Sequence, residues 1–237
     1  MYLDYDQSMA LVGDVVKESV AGGKLQVGIF PNFVALHDAC EALKGSKIVV
    51  GAQDVSEMSP GAYTGDTAAG VVKSIGCAYA LVGHSERRHV FGEKDIDIRK
   101  KLEACVSAGL IPVLCVGETK EDKENDKRQY RLKKQLLSAL EGLTLNAGSL
   151  IIAYEPVWAI GSGTPCDPAE ADDVQGWIKQ EVKKLLGIDV PVLYGGSVEA
   201  ENVVSYLSRE TVDGVLVGSA SANHNTLLPL LHAALEY

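Results

Sequence analysis

Residues Val190–Ser221 read VPVLYGGSVEAENVVSYLSRETVDGVLVGSAS. Two short apolar runs each end in a turn of Gly and Ser, with a helix-like segment between them. A near-continuous apolar run suits a parallel strand covered on both faces, and strand–helix–strand is the unit of a parallel sheet. The same unit recurs upstream, at LQVGIFP from Leu25, KIVVGAQ from Lys47, YALVGHS from Tyr79, IPVLCVG from Ile111 and SLIIAYEP from Ser149. Between the runs lie segments such as DIDIRKKLEACVSAG and AEADDVQGWIKQEVKKLLG. Both have helical apolar spacing, an acidic start, later basic residues and a closing Gly.

Two architectures suit such a chain, an open doubly wound sheet and a closed eight-fold barrel. The strand ends decide between them. Gln53-Asp54, His84-Ser85-Glu86, Gly117-Glu118, Glu155-Pro156, Gly195-Gly196-Ser197 and Gly218-Ser219 all follow apolar runs. A doubly wound sheet concentrates its chemistry at one switch point, whereas polar groups after almost every strand point to a barrel. Seven runs are visible, and the opening MYLDYDQSMALVGDVVKESVAGG reads as a helix. The expectation is a single-domain (β/α)8 barrel over residues 1–237 whose first strand is absent from this chain.

The chain has 237 residues, 46% of them hydrophobic, which suits one domain with a substantial core. Its net charge of −10 disfavours binding nucleic acid or an anionic membrane through bulk charge. Any anion must be held by a local site. Five cysteines in no CxxC spacing argue for reduced thiols rather than a disulfide framework or zinc ribbon. No apolar run is membrane-length and no signal peptide is visible, so the expected setting is the cytoplasm. The polar stretch ETKEDKENDKRQYRLKKQ from Glu118 mixes both signs and reads as a solvated loop and helix face.

Three groups carry chemistry. In VGHSERRHVFGE, His84 ends a strand and Ser85 begins a short helix. Backbone N–H groups and the positive helix end there favour an uncharged imidazole, which can donate a hydrogen bond to a carbonyl. A lone histidine is ordinarily structural, but the adjoining Glu86-Arg87-Arg88 offers ion pairs that would hold a site rigid. In AYEPVWAIGSGTPCDP, Glu155 ends a strand and precedes an apolar, Gly-flanked segment. A carboxylate under an apolar flap is desolvated and becomes a stronger base. The flap, Pro156, Val157, Trp158, Ala159, Ile160, Gly161, Ser162, Gly163, Thr164, Pro165 and Cys166, reads as a lid; the bland alternative is a surface loop. Third, YGGSV and VGSAS close the last two strands, where Gly-rich turns offer backbone N–H groups to phosphate. Cys115 reads as core, and His37, His89, His224 and His232 form no metal-ligand spacing.

GHSERRHVFGE, AYEPVWAIGSG, YGGSV and DGVLVGSAS together resemble the triosephosphate isomerase family, in order and over the whole chain. The resemblance implies a TIM barrel, no cofactor or metal, and interconversion of dihydroxyacetone phosphate and glyceraldehyde 3-phosphate in glycolysis and gluconeogenesis. That family is itself a well-known example of a glutamate base paired with a neutral histidine, and its roles carry over by motif. Glu155 would be the base, His84 the neutral electrophile and Glu86 a support. The N–H groups of Gly161, Ser197, Gly218 and Ser219 would hold phosphate. The lid would be latched by Tyr194 and Ser197. A homodimer is implied, with Thr64 at the tip of SEMSPGAYTGD touching its neighbour.

Three departures stand out. Ser219 replaces a second Gly, which leaves the N–H in place. Thr164-Pro165-Cys166 replaces the usual Lys-Thr-Ala, and proline should stiffen that hinge. Met1 aligns with the Met after the family's catalytic lysine, so the first strand and the active-site Asn and Lys are expected to be missing together. Weak residual activity, low stability or self-association would follow. The competing expectation is a non-catalytic, phosphate-binding or interaction relative. Another phosphosugar barrel would explain the phosphate turns but not GHSERR and YEPVW together.

Overall fold

The computed structural model describes residues 2–19 and 25–237. Met1 and the last residues of the expected opening helix lie outside them. In chain order the elements are α1 (Tyr5–Ser19), β1 (Gly28–Ile29), α2 (Leu36–Ala42), β2 (Val49–Ala52), α3 (Ala69–Ser74), β3 (Tyr79–Val82), α4 (Ser85–His89) and α5 (Asp95–Ala108). Then follow β4 (Ile111–Val116), α6 (Lys120–Glu124), α7 (Arg128–Leu140), β5 (Ile151–Tyr154), α8 (Pro168–Leu186), β6 (Val192–Tyr194), α9 (Val203–Leu207), β7 (Gly214–Val215) and α10 (His224–Glu236).

The seven strands form one sheet in sequence order, β1 to β7, and every pairing is parallel. A doubly wound sheet would reverse its order at a switch point; a barrel wall does not. The interior face shows that the sheet curls. Leu81, Val113, Cys115 and Ala153 form one buried cluster, and Phe30 from beyond β1 and Leu216 from beyond β7 both pack on it. Side chains from opposite edges can meet there only if the edges are brought round toward each other.

Strand alternation explains the two cores. On β4, Val113 and Cys115 point inward while Leu114 and Val116 face the helices. On β5, Ile151 and Ala153 point inward, and Ile152 and Tyr154 outward. The helical layer is set by local signals: Asp167 caps α8 by accepting from the Ala169 and Glu170 amides, with Pro168 in the first turn. Gly109 and Gly187 end α5 and α8 in the left-handed conformation that glycine tolerates best.

The strands do not close on themselves among the described residues, and β1 and β7 are the edges. The helices do bridge that seam, because α1 packs on both α2 and α10. Across it His224 Nδ1 lies 2.9 Å from Asp14 Oδ2, and His232 pairs with Glu18. The five thiols are free and buried. No helix among the described residues is long and apolar enough to cross a membrane.

Candidate active site

Glu155 follows β5 by one residue and shares the inward parity of Ile151 and Ala153. It therefore stands at the carboxyl end of the sheet, facing the interior. Its partner position on β4 is Gly117, and the fit allows no side chain: a Cβ on Gly117 would lie 1.7 Å from the Glu155 carbonyl oxygen. The Glu155 residue is 2% exposed. One carboxylate oxygen, Oε2, accepts from the Ser85 amide at 2.9 Å. The other, Oε1, is buried and has no hydrogen-bond partner among the described residues. Burial pushes the Glu155 carboxyl up from its ordinary range, while His84 and the Ser85 amide pull the other way and do not prevail.

His84 is delivered by a break in the strand. Gly83, at φ +73°, interrupts the alternation after β3. The ring comes to lie with Nε2 3.2 Å from Glu155 Oε1. That approach lacks hydrogen-bond alignment, which leaves Oε1 orphaned despite its short distance. The other ring nitrogen, Nδ1, accepts from the Glu86 amide at 3.3 Å and so caps α4. A nitrogen that accepts carries no proton, so this hydrogen bond selects the neutral tautomer protonated on Nε2. Glu86 contributes that amide; its own carboxylate is 69% exposed, 3.7 Å from Nδ1.

The Arg-Arg pair supplies the expected ion pairs. Arg88 donates to the Gly83 carbonyl at 2.7 Å, to the Cys115 carbonyl at 3.0 Å and to Asp95 at 2.8 Å. Arg87 bridges Glu93 at 2.6 Å and Asp54 at 3.1 Å. Lys101, buried, joins the same two carboxylates at 2.5 and 2.7 Å. The loop carrying His84 is thereby fastened to β4, α5 and the end of β2. Cys115 is a core residue, as expected, and its buried thiol lies against Glu155 and is pushed well up by burial.

The polar stretch from Glu118 differs from its solvated reading. Glu118, Asp122 and Gln135 are buried. Gln135 reaches from α7 to accept from the Gly117 N–H at 2.9 Å and donate to its carbonyl at 3.1 Å. Glu118 Oε1 accepts from Trp158 Nε1 at 2.9 Å, Arg128 Nε at 3.1 Å and Tyr154 Oη at 3.1 Å. Two signals were present in the sequence. Gln135 sits between Leu132 and Leu136 on the apolar helical face, and Glu118 directly follows a strand-ending glycine.

Glu118 also anchors the first turn of the lid, its carbonyl accepting from the Val157 amide at 3.1 Å. The Lys123 ammonium lies 3.7 Å from the centre of the Trp158 ring. From there Pro156–Cys166 crosses toward β6. Ser197 Oγ donates to the Ala159 carbonyl at 2.6 Å, and the Cys166 amide donates to Tyr194 Oη at 3.1 Å. Residues 161–165 between these points are exposed, and Gly161 and Gly163 have φ of +61° and +68°.

Because β6 and β7 pair, Ser197, Gly218 and Ser219 follow neighbouring strands at the same end of the sheet. Among the described residues, the N–H groups of Gly161, Ser197, Gly218 and Ser219 donate to no protein acceptor. The structure thus brings Glu155 and His84 into contact, joins the lid to Tyr194 and Ser197, and leaves Thr64 exposed on a separate loop. A groove of about 510 Å³ lies elsewhere, outside the sheet between α7 and α8. Its Lys123, Arg128 and Glu170 are bound to one another, so it has no spare charge for a ligand.

The family model described as triosephosphate isomerase matches residues 1–234. Triosephosphate isomerase of Symbiobacterium thermophilum is 36% identical, the alignment spanning 100% of this chain and 94% of the relative. That of Roseiflexus sp. is 40% identical over 87% of this chain and 84% of the relative. A crystal structure of triosephosphate isomerase from Bartonella henselae superposes with a TM-score of 0.84 at 31% identity, covering 98% of this chain and 94% of that one. With the curled parallel sheet, the match in sequence and the match in structure in agreement, the chain belongs to the triosephosphate isomerase family.

Proposed function

We propose that the chain interconverts dihydroxyacetone phosphate and glyceraldehyde 3-phosphate, as a homodimer in the cytoplasm. The observation that carries this reading is the unpartnered, buried Oε1 of Glu155 beside Nε2 of a neutral His84. A desolvated carboxylate with a free lone pair is suited to taking a proton from the carbon next to a carbonyl and returning it to the adjacent carbon. The Nε2–H would donate to the carbonyl oxygen as it gains charge, which stabilises the enediolate between the two steps. The free amides of Ser197, Gly218, Ser219 and Gly161 would hold the phosphate, and the lid would keep water from the enediolate. Exposed Met58 and Tyr63 on the Thr64 loop support a contact with a second copy.

The test is turnover of glyceraldehyde 3-phosphate by this chain and by two variants. Measurable turnover is expected, falling about 10²–10⁴-fold in Glu155→Gln and by a comparable factor in His84→Gln. Phosphate binding with no turnover, unchanged by either substitution, would replace this reading with a non-catalytic phosphate-binding relative.

A further inference from the structure

The far end of the lid hangs from one peptide unit. The Cys166 amide donates to Tyr194 Oη at 3.1 Å, and the Cys166 carbonyl accepts from Tyr206 Oη at 2.5 Å. The two phenol rings stack, centroids 4.0 Å apart and 13° from parallel, with their hydroxyls 3.4 Å apart. Tyr194 ends β6, Tyr206 lies in α9, and both are buried. Each phenol has a single proton. The Tyr206 proton goes to the Cys166 carbonyl, so across the 3.4 Å contact Tyr194 is the donor. The result is a closed circuit from the Cys166 N–H through Tyr194 and Tyr206 back to the Cys166 carbonyl. It uses all three protons and leaves no group open for water. Burial raises both phenols above their ordinary range, so the circuit keeps its protons at neutral pH.

We propose that Tyr206 is a positioning residue for the lid: acting through Tyr194 and Cys166, it fixes the far hinge and thereby sets the rate at which residues 161–165 move. This rests on the lid reading above, and Tyr206 itself touches no substrate. Asp167, the next residue, is already committed to capping α8, so the circuit and the cap together clamp both sides of Cys166.

The experiment labels the chain with 5-fluorotryptophan and follows both tryptophans by fluorine NMR, without ligand and with inorganic phosphate. Trp158 reports the lid, and Trp177, on α8, is the internal reference. In Tyr206→Phe the exchange rate at Trp158 should rise about fivefold to tenfold, the scale of one lost hydrogen bond, with Trp177 unmoved. Because the circuit is closed, Tyr194→Phe should have a similar effect and the double variant should add little. In the unsubstituted chain, the Cys166 amide should exchange with solvent far more slowly than those of Ser162 and Thr164. Equal exchange at Trp158 in Tyr206→Phe and the parent overturns the proposal, as does a Cys166 amide as labile as its exposed neighbours. If neither tryptophan of the parent responds to phosphate, the phosphate reading fails, and the ligand-free rates still decide the hinge.

Discussion

At the scale of single residues, Glu155 has one oxygen on the Ser85 amide and the other unpartnered in the interior. Burial raises its carboxyl, so the unfolded chain gives up this proton first. From the ordinary glutamate value upward to the raised one, the folded state holds the extra proton. Stability therefore falls as pH rises through that window and the loss is complete above it. Glu155→Gln removes the titration and its amide oxygen can still accept from Ser85. Thermal melts across pH should show the variant at or above the parent at pH 8, with the gap closing below the ordinary glutamate range. A variant that melts lower at pH 8 and level at acid pH would contradict the assignment. Glu155 and His84 were legible in the sequence because a polar residue ending an apolar strand has few structural reasons to be there. Glu118 and Gln135 were not, because their charged neighbours mask a helix whose buried face still has to satisfy the Gly117 peptide.

At the scale of elements, the lid is a segment held at two ends by different means. Glu118 fixes its first turn through the Trp158 ring nitrogen and the Val157 amide. Cys166 fixes the other end, and Pro165 stands immediately before it among exposed residues. Proline removes one soft dihedral, so Pro165→Thr should speed lid relaxation and change turnover with little effect on the melting temperature. Relaxation of Trp158 fluorescence after a temperature jump checks this; identical rates would assign Pro165 no part in the hinge. The helices were readable to within a few residues from acidic starts and terminal glycines, as α5 and α8 show. The outermost strands were less so. LQVGIFP and GVLVGSA each yield only two paired residues, because an apolar run becomes strand only as far as a neighbour supplies hydrogen bonds.

At the scale of the molecule, β4 is paired along both sides while β1 and β7 each have one free side. Free strand edges are templates for other chains, and shortness is a usual defence. Association beyond a dimer is expected as concentration rises, read by sedimentation velocity; one sharp species at all concentrations with a high cooperative melt would contradict it. The seam between those edges has a further consequence. Each strand pairs only with its predecessor and successor, so the wall can grow outward from β3, β4 and β5 through contacts between nearby segments. The bridge of α1 to α10 is different: the His224–Asp14 and His232–Glu18 pairs join residues 210 and 214 positions apart. The entropy of closing so large a loop falls on that one junction. Pulse-labelled hydrogen exchange during refolding should protect the central strands first and α1 last. The slow search in folding then belongs to the two ends of the chain, and the strands that carry Glu155 and His84 are assembled before it is over.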